Sequence, residues 1–356
     1  MKACNAKSTY KAAIIGTGRI GFTLGFDKKR EKPASHTMAL LQNPRINLVA
    51  GCDTFEDSLN KWKRYLSRYN SDVKAYPTAD VLLSAQKYDI IVIAVNEDAH
   101  LETALQAIAA QPRLVILEKP VALNTLDGKK IVEAANRHNV SVLVNHERRF
   151  SEDYKLAKKY IDDGKIGKIQ TVNARLDSGL RVYAKEEEET GAYSLLHDGT
   201  HLVDIAMFLL ERDSGEKDVL KNMKITSITR DEEKPDVIRN VTAHFESEKC
   251  PDVNVSISGR SRYFGFEVDV IGTEGRIKVG NGIFEFTLRE QSKLYTGFYS
   301  LAKDKKIRAP KKTRYFSNMV QNAVDFLDGT APLKSTLQTG MNTLTVLQEI
   351  KQQIAK

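Results

Sequence analysis

Cysteine is scarce in this 356-residue chain: Cys4, Cys52 and Cys250 are odd in number, far apart and never arranged as CxxC. That spacing argues against a disulfide framework and against a cysteine-rich zinc site. Long apolar runs are missing too, none approaching the ~20 residues needed to span a bilayer. Met1 to Tyr10 is polar where a secretory leader would be apolar, so the reducing cytoplasm is the expected compartment, with no membrane partner. The formal charge is +8, but the basic residues are scattered. Their densest run, Lys303 to Lys312, lacks the interleaved aromatics on which bases stack, and nucleic acid is not an expected partner. That run reads as a solvated loop, or as a rim attracting a phosphorylated or carboxylated substrate. The Glu186 to Glu189 run reads as a solvated loop or helix start.

Hydrophobic residues at 41% and charged residues at 28% describe an ordinary globular protein, and the length favours two domains. Short apolar runs at Lys11 to Ile15, Ile46 to Gly51, Val73 to Tyr76, Asp89 to Val95, Arg113 to Leu117 and Ser141 to Val144 alternate with helical patterns at Phe55 to Tyr69, Ala99 to Ala110 and Thr125 to His138. This is the form of βαβ units, and a run such as IIVIAV implies a strand buried on both faces. A doubly wound parallel sheet is expected over residues 1–147. Beyond it the rhythm changes to helices at Glu152 to Ile161 and Leu195 to Leu210, a strand at Lys168 to Leu176, and six strands between Ile225 and Leu288 with no helix among them. Residues 148–356 are therefore expected to form an α+β domain on a large, open, mostly antiparallel sheet. Helical spacing from Phe316 to Leu327 and from Ser335 to Ile354 suggests last helices that pack back on the first domain.

The first strand runs into Gly16-Thr17-Gly18-Arg19-Ile20-Gly21, with helix-compatible residues after it. In that setting Gly16 serves a tight turn, Gly18 a close approach of backbone to a pyrophosphate, and Gly21 helix–strand packing. Asp53, closing the second strand, can accept hydrogen bonds from ribose hydroxyls and would repel a 2′-phosphate, favouring NAD, with NADP as the alternative. It also suits a turn before the next helix. The excess spacing between the glycines and Asp53 is explained by an inserted polar loop, Asp27 to Ser35.

Ligands of open α/β sheets bind beyond the carboxyl ends of the strands. Two such ends stand out: Val95-Asn96-Glu97-Asp98-Ala99-His100 and Glu118-Lys119-Pro120. Pro120 keeps Lys119 out of helical geometry, and a lysine there can orient a hydroxyl substrate or sit quietly at the surface. Farther on, His197 and His201 lie four apart, with Asp204 three beyond. A zinc site would lack a third ligand, and none is expected. Structural histidines and a general acid/base remain as readings, since histidine titrates near neutral pH.

Together, AIIGTGRIG (Ala13 to Gly21), the strand end leading to His100, Glu118-Lys119-Pro120, Arg149-Phe150, the helix bearing His201 and Asp204, and Ile271-Gly272-Thr273-Glu274-Gly275 resemble the Gfo/Idh/MocA family of oxidoreductases. The resemblance spans nearly the whole chain. It implies a Rossmann domain binding NAD(P) through Gly16 to Gly21, Asp53, Val95, Asn96, His100, Glu118 and Lys119, and a second domain that often supports homo-oligomers. It also implies oxidation or reduction of a sugar-like carbinol, with Lys119 and His201 in the proton relay. Where many members carry Asp, four residues before His201, this chain carries His197, which would orient substrate or relay protons instead. Arg149, Arg175, Arg181, Tyr183 and Tyr193 are candidates for substrate specificity. A dinucleotide-binding sensor without catalysis is the alternative.

Overall fold

The computed structural model describes residues 9–304 and 306–356, so that Cys4 and Lys305 of the stretches named above lie outside the described residues. The chain divides into two compact units, one running to Phe150 and taking back Arg314–Leu337, the other formed by Ser151–Thr313 and Gln338–Lys356.

The first unit alternates strand and helix: β1 (Tyr10–Ile15), α1 (His36–Gln42), β2 (Ile46–Cys52), α2 (Glu56–Leu66), β3 (Lys74–Tyr76), α3 (Ala79–Ala85), β4 (Ile90–Ile93), α4 (His100–Ala109), β5 (Leu114–Leu117), α5 (Thr125–His138) and β6 (Ser141–Val144). Every strand pairing is parallel, in the order β3-β2-β1-β4-β5-β6. The doubly wound expectation holds, and the order reverses at β1/β4, the point in such sheets where ligands bind. β4 and β5 are buried at every position, which explains why they read as unbroken apolar runs. The single tryptophan of the chain, Trp62, is fully buried, with its indole N–H donating to Thr37 Oγ1 at 3.0 Å. Its ring lies where a side chain on Gly51 of β2 would stand, 2.7 Å from the position of a Cβ.

The expected helix directly after the glycine loop is interrupted. A one-turn 3-10 helix, Thr23–Phe26, follows instead, and the chain loops out before α1 begins. The amides of His36 and Thr37 bond the carbonyls of Ile20 and Gly21, at 3.1 and 2.9 Å. Those are acceptors that residues 24 and 25 would satisfy in an unbroken helix. The insertion read in the sequence is thus a loop spliced into a helix. Periodicity missed α1 because only seven residues of it remain after the splice.

The second unit holds α6 (Glu152–Asp162), β7 (Ile169–Asp177), α7 (Ser194–His197), α8 (Gly199–Leu210), β8 (Lys221–Arg230), β9 (Ile238–Ser247), β10 (Cys250–Ser258), β11 (Gly265–Gly272), β12 (Gly275–Gly280), β13 (Ile283–Gln291) and β14 (Tyr299–Lys303). These strands form an eight-stranded sheet, β14-β13-β12-β11-β7-β10-β9-β8, antiparallel except for β7/β10. β14 is a strand that the sequence pattern did not announce, because its residues are largely exposed and lack alternation. Val172, Ala174, Val253, Val255, Val268 and Val270 bury one face, and helix α8 packs against β7, β10 and β11. The intervening Asn173, Arg175, Asn254 and Ser256 leave the other face polar. After β14, Lys306, Arg308, Lys311 and Lys312 are exposed in irregular chain, as a solvated loop would have them.

Two helices end the chain, α9 (Tyr315–Leu327) in the first unit and α10 (Leu337–Ile354), which belongs to the second from Gln338 onward. α9 buries Phe316, Met319, Val320, Ala323 and Val324 in the first unit's core. Its end is tied down by Asp328, which accepts two 2.8 Å bonds from Arg45 and one from the Tyr10 hydroxyl at 2.5 Å. The guanidinium groups of Arg45 and Arg113 stand over the Tyr10 ring at 5.3 and 5.1 Å.

Candidate active site

The glycine loop leaves β1 at the switch point. Gly16 adopts φ +93°, and a Cβ there would stand 2.4 Å from the Ala94 carbonyl oxygen. A Cβ on Gly21 would stand 2.1 Å from the Gly16 oxygen, so these two glycines are required by the protein's own packing. Gly18 differs: a Cβ on it would meet nothing within 4 Å. Among the described residues no packing contact calls for a glycine there, and the open approach over its backbone fits a pyrophosphate. Arg19 is exposed beside it, while Ile20 is half-buried.

Asp53, half-exposed after β2, organises the loop directly. Its Oδ2 accepts from the Thr17 amide at 2.7 Å and hydroxyl at 3.0 Å, and its Oδ1 accepts from the Phe55 amide at 2.9 Å. Asp53 thus makes the turn into α2, and its carboxylate keeps lone pairs beyond these three bonds.

Beyond β4 and β5 the chain builds a buried polar cluster. Val95 is half-buried and Asn96 exposed, whereas His100 is buried, with Nδ1 2.6 Å from the Pro120 oxygen and Nε2 3.3 Å from the Val95 oxygen. Burial lowers the basicity of His100 below that of an ordinary histidine, against the pull of the Pro120 carbonyl. Its ring thus joins the two strand ends rather than facing outward. Glu118 is buried as well, its Oε1 2.6 Å from His36 Nε2 and 2.6 Å from Asn145 Nδ2, its Oε2 3.3 Å from the Lys119 amide. Burial opposes its charge, yet the hydrogen bond and charge of His36, the charge of Lys119 and the Asn145 amide hold the carboxyl below the ordinary carboxylate range. Lys119 itself is half-buried, followed by a cis bond to Pro120. Glu147, just past β6, feels the charges of Arg148, Glu118, Lys119 and Arg30, and burial raises its carboxyl above the usual value.

In the second unit His197 ends α7 and His201 lies in the first turn of α8, both half-buried. The expected single helix is broken at Asp198, where the His201 amide bonds the Asp198 carbonyl at 3.1 Å, a three-residue step. Asp204 is buried and accepts from Thr343 of α10 at 3.3 Å. No cluster among the described residues could hold a metal ion. Of the specificity candidates, Arg175 chelates Asp177 at 2.7 and 3.0 Å, and Arg181 is taken up by Glu186 and Glu187. Arg181 and Glu187 also line a cleft of about 430 Å³ within this unit, beside Asp231 and Arg239, which pair with each other at 2.7 Å. Tyr183 donates to Glu188 and meets Tyr193 edge-on, and burial pushes the Tyr183 phenol up to about 12. Arg149 is buried.

Sequence reasoning missed His36, Asn145 and Glu147. The signals were a histidine opening the remnant helix after the insertion and a polar run, Asn145-His146-Glu147, directly at a strand's carboxyl end.

Residues 10–146 match the family model described as "Oxidoreductase family, NAD-binding Rossmann fold", and residues 154–278 match the "GFO/IDH/MocA C-terminal domain". Among curated relatives, an inositol 2-dehydrogenase of Salmonella paratyphi B is 25% identical over 58% of this chain, and the chain spans 56% of that protein's length. An inositol 2-dehydrogenase of Rhizobium meliloti is 24% identical over 77% of this chain and 76% of its own. The solved WlbA dehydrogenase of Bordetella pertussis, in complex with NADH and UDP-GlcNAcA, shares the fold at TM-score 0.72 and 18% identity, covering 97% of this chain and 96% of that one. With a Rossmann sheet, a glycine loop open at Gly18 and both domain models matched in order, this chain belongs to the Gfo/Idh/MocA family of NAD-binding oxidoreductases.

Proposed function

We propose that the chain is an NAD-dependent dehydrogenase acting on a carbinol of a sugar, cyclitol or sugar derivative. The observation that carries this reading is Lys119, set at the end of β5 by a buried, hydrogen-bonded neighbour. The inositol dehydrogenases among the relatives support the substrate class. Bound NAD supplies the hydride acceptor or donor. Lys119 donates a hydrogen bond to the reacting oxygen, as a cationic lysine can. His201 takes or returns the hydroxyl proton, and His197 orients the substrate. Gly16 to Gly21 hold the pyrophosphate, Asp53 the adenosine ribose, and Val95 and Asn96 border the cofactor. A homo-oligomer is the proposed assembly, in line with the broad polar sheet face of the second unit.

The test is turnover of a panel of myo-inositol, D-glucose and UDP-sugars with NAD+, followed by Lys119→Ala and His201→Ala on the substrate found. Each substitution should lower kcat by about 10²–10⁴-fold, the usual worth of a positioned proton-transfer group. Unchanged turnover in both variants overturns the relay.

A further inference from the structure

Lys119 is flanked by two buried histidines that the proton relay does not use. His36, fully buried at the start of α1, holds Glu118 at 2.6 Å, and Glu118 in turn receives the Lys119 amide at 3.3 Å. A carboxylate only accepts, so the His36 nitrogen facing it carries the hydrogen. Asn145, at the end of β6, donates to the same oxygen at 2.6 Å. On the other side His100, from α4, stands 2.6 Å from the carbonyl oxygen of Pro120. The residue before Lys119 and the residue after it are thus each anchored to a separate helix.

We infer that His36 and His100 are positioning residues for Lys119, acting through the Glu118 carboxylate and the Pro120 carbonyl. The inference rests on the dehydrogenase reading for its catalytic consequence. A lysine on a long flexible stem reaches its substrate oxygen reproducibly only if its backbone is fixed, and misplacement by ~1 Å costs about 10²-fold in rate. Removing His36 leaves a buried carboxylate with one strong donor fewer, and such a group turns or moves to regain one. His36 is itself seated by the splice, through its amide on the Ile20 carbonyl and its ring edge-on to Phe316 at 5.1 Å. The insertion between glycine loop and α1 is therefore anchored by the same residue that steadies the lysine.

The experiment compares wild type with His36→Leu, His36→Gln and His100→Leu in three ways: crystal structures with NADH, NADH affinity by calorimetry, and steady-state oxidation of the panel substrate with NAD+. His36→Leu is expected to displace Glu118 and Lys119, to lower kcat by about 10–100-fold as loss of an orienting outer partner does, and to leave NADH affinity within ~3-fold. His36→Gln, whose amide can donate to Glu118, should recover most of kcat. Glu118 and Lys119 unmoved in the leucine variants, or kcat unchanged in both, overturns the inference. Should His36→Leu not fold, His100→Leu carries the same readouts from the other side. If wild type oxidises no substrate of the panel, the dehydrogenase reading fails, and the crystal structures alone decide the clamp.

Discussion

His36 and Glu118, 82 residues apart, meet at 2.6 Å with both side chains buried. A buried carboxylate stripped of its partner is costly, about 3–5 kcal/mol for a buried pair. The Glu118 carboxyl sits below its ordinary value, so its contribution is complete above ~4.3, the unfolded value, and is lost as pH falls through the lower folded value. Thermal melts from pH 7 to 3 should therefore show an acid-side loss of stability that Glu118→Gln flattens, while lowering Tm at pH 7. An equally steep acid loss in the variant would reject this assignment.

Glu147 shifts the other way and carries the opposite sign. Burial raises its carboxyl, so the native state favours the protonated form, and stability is lost as pH rises through the unfolded and then the folded value. Replacing it by the neutral amide removes that loss. Glu147→Gln should raise Tm at pH 7 by about 1–3 °C, under ~1 kcal/mol, and make little difference at pH 4. A lower Tm at pH 7 would mean that Arg148 and Lys119 outweigh burial at this site.

Gly51 and Trp62 make a packing prediction for the first unit. The indole occupies the space a Cβ would need, at 2.7 Å, and neither β2 nor α2 can withdraw without opening the core. Gly51→Ala should cost about 1–3 kcal/mol, an overpacking penalty. Guanidinium titration followed by the emission of Trp62 reads it directly, and a midpoint equal to wild type would contradict the crowding.

Much of this arrangement was legible in the chain because single residues carried it. Burial on both faces made β4 and β5 visible as apolar runs, and the glycine spacing located the loop. Helix α9 was visible from the i, i+3, i+4 spacing of Phe316, Met319, Val320, Ala323, Val324 and Leu327. What stayed hidden depended on partners distant in sequence. His36 means little until Glu118 comes within 2.6 Å of it, and Thr17's hold on Asp53 needs β1 and β2 side by side. The single helix expected through His197 and His201 failed because apolar periodicity survives a three-residue step at Asp198, where the backbone bonding changes. Arg175 and Arg181 looked available as charges, but each meets a carboxylate only a few residues away.

Asp53 bears on cofactor choice. A 2′-phosphate placed against its carboxylate meets like charge, whereas a ribose hydroxyl donates to it. NADH should bind at least about tenfold tighter than NADPH, which is 1.4 kcal/mol. Asp53→Ser should narrow that ratio and also weaken NADH, because Thr17 loses its acceptor. Calorimetry with both dinucleotides checks it, and tighter binding of NADPH by wild type would overturn the role.

The three glycines of the loop separate structure from binding. Gly21 has the Gly16 carbonyl where its Cβ would go, at 2.1 Å, and Gly16 combines φ +93° with the Ala94 carbonyl at 2.4 Å. Alanine at either forces backbone apart, and Tm should fall by several degrees, in line with ~1–3 kcal/mol for strain at such positions. Gly18 has open space instead, so Gly18→Ala should leave Tm within about 1 °C while its methyl stands in the approach to the backbone amides. NADH affinity should then fall by about tenfold or more, equivalent to at least ~1.4 kcal/mol. A Gly18→Ala protein that melts like wild type and binds NADH like wild type would place the pyrophosphate elsewhere, because no packing loss could mask the result.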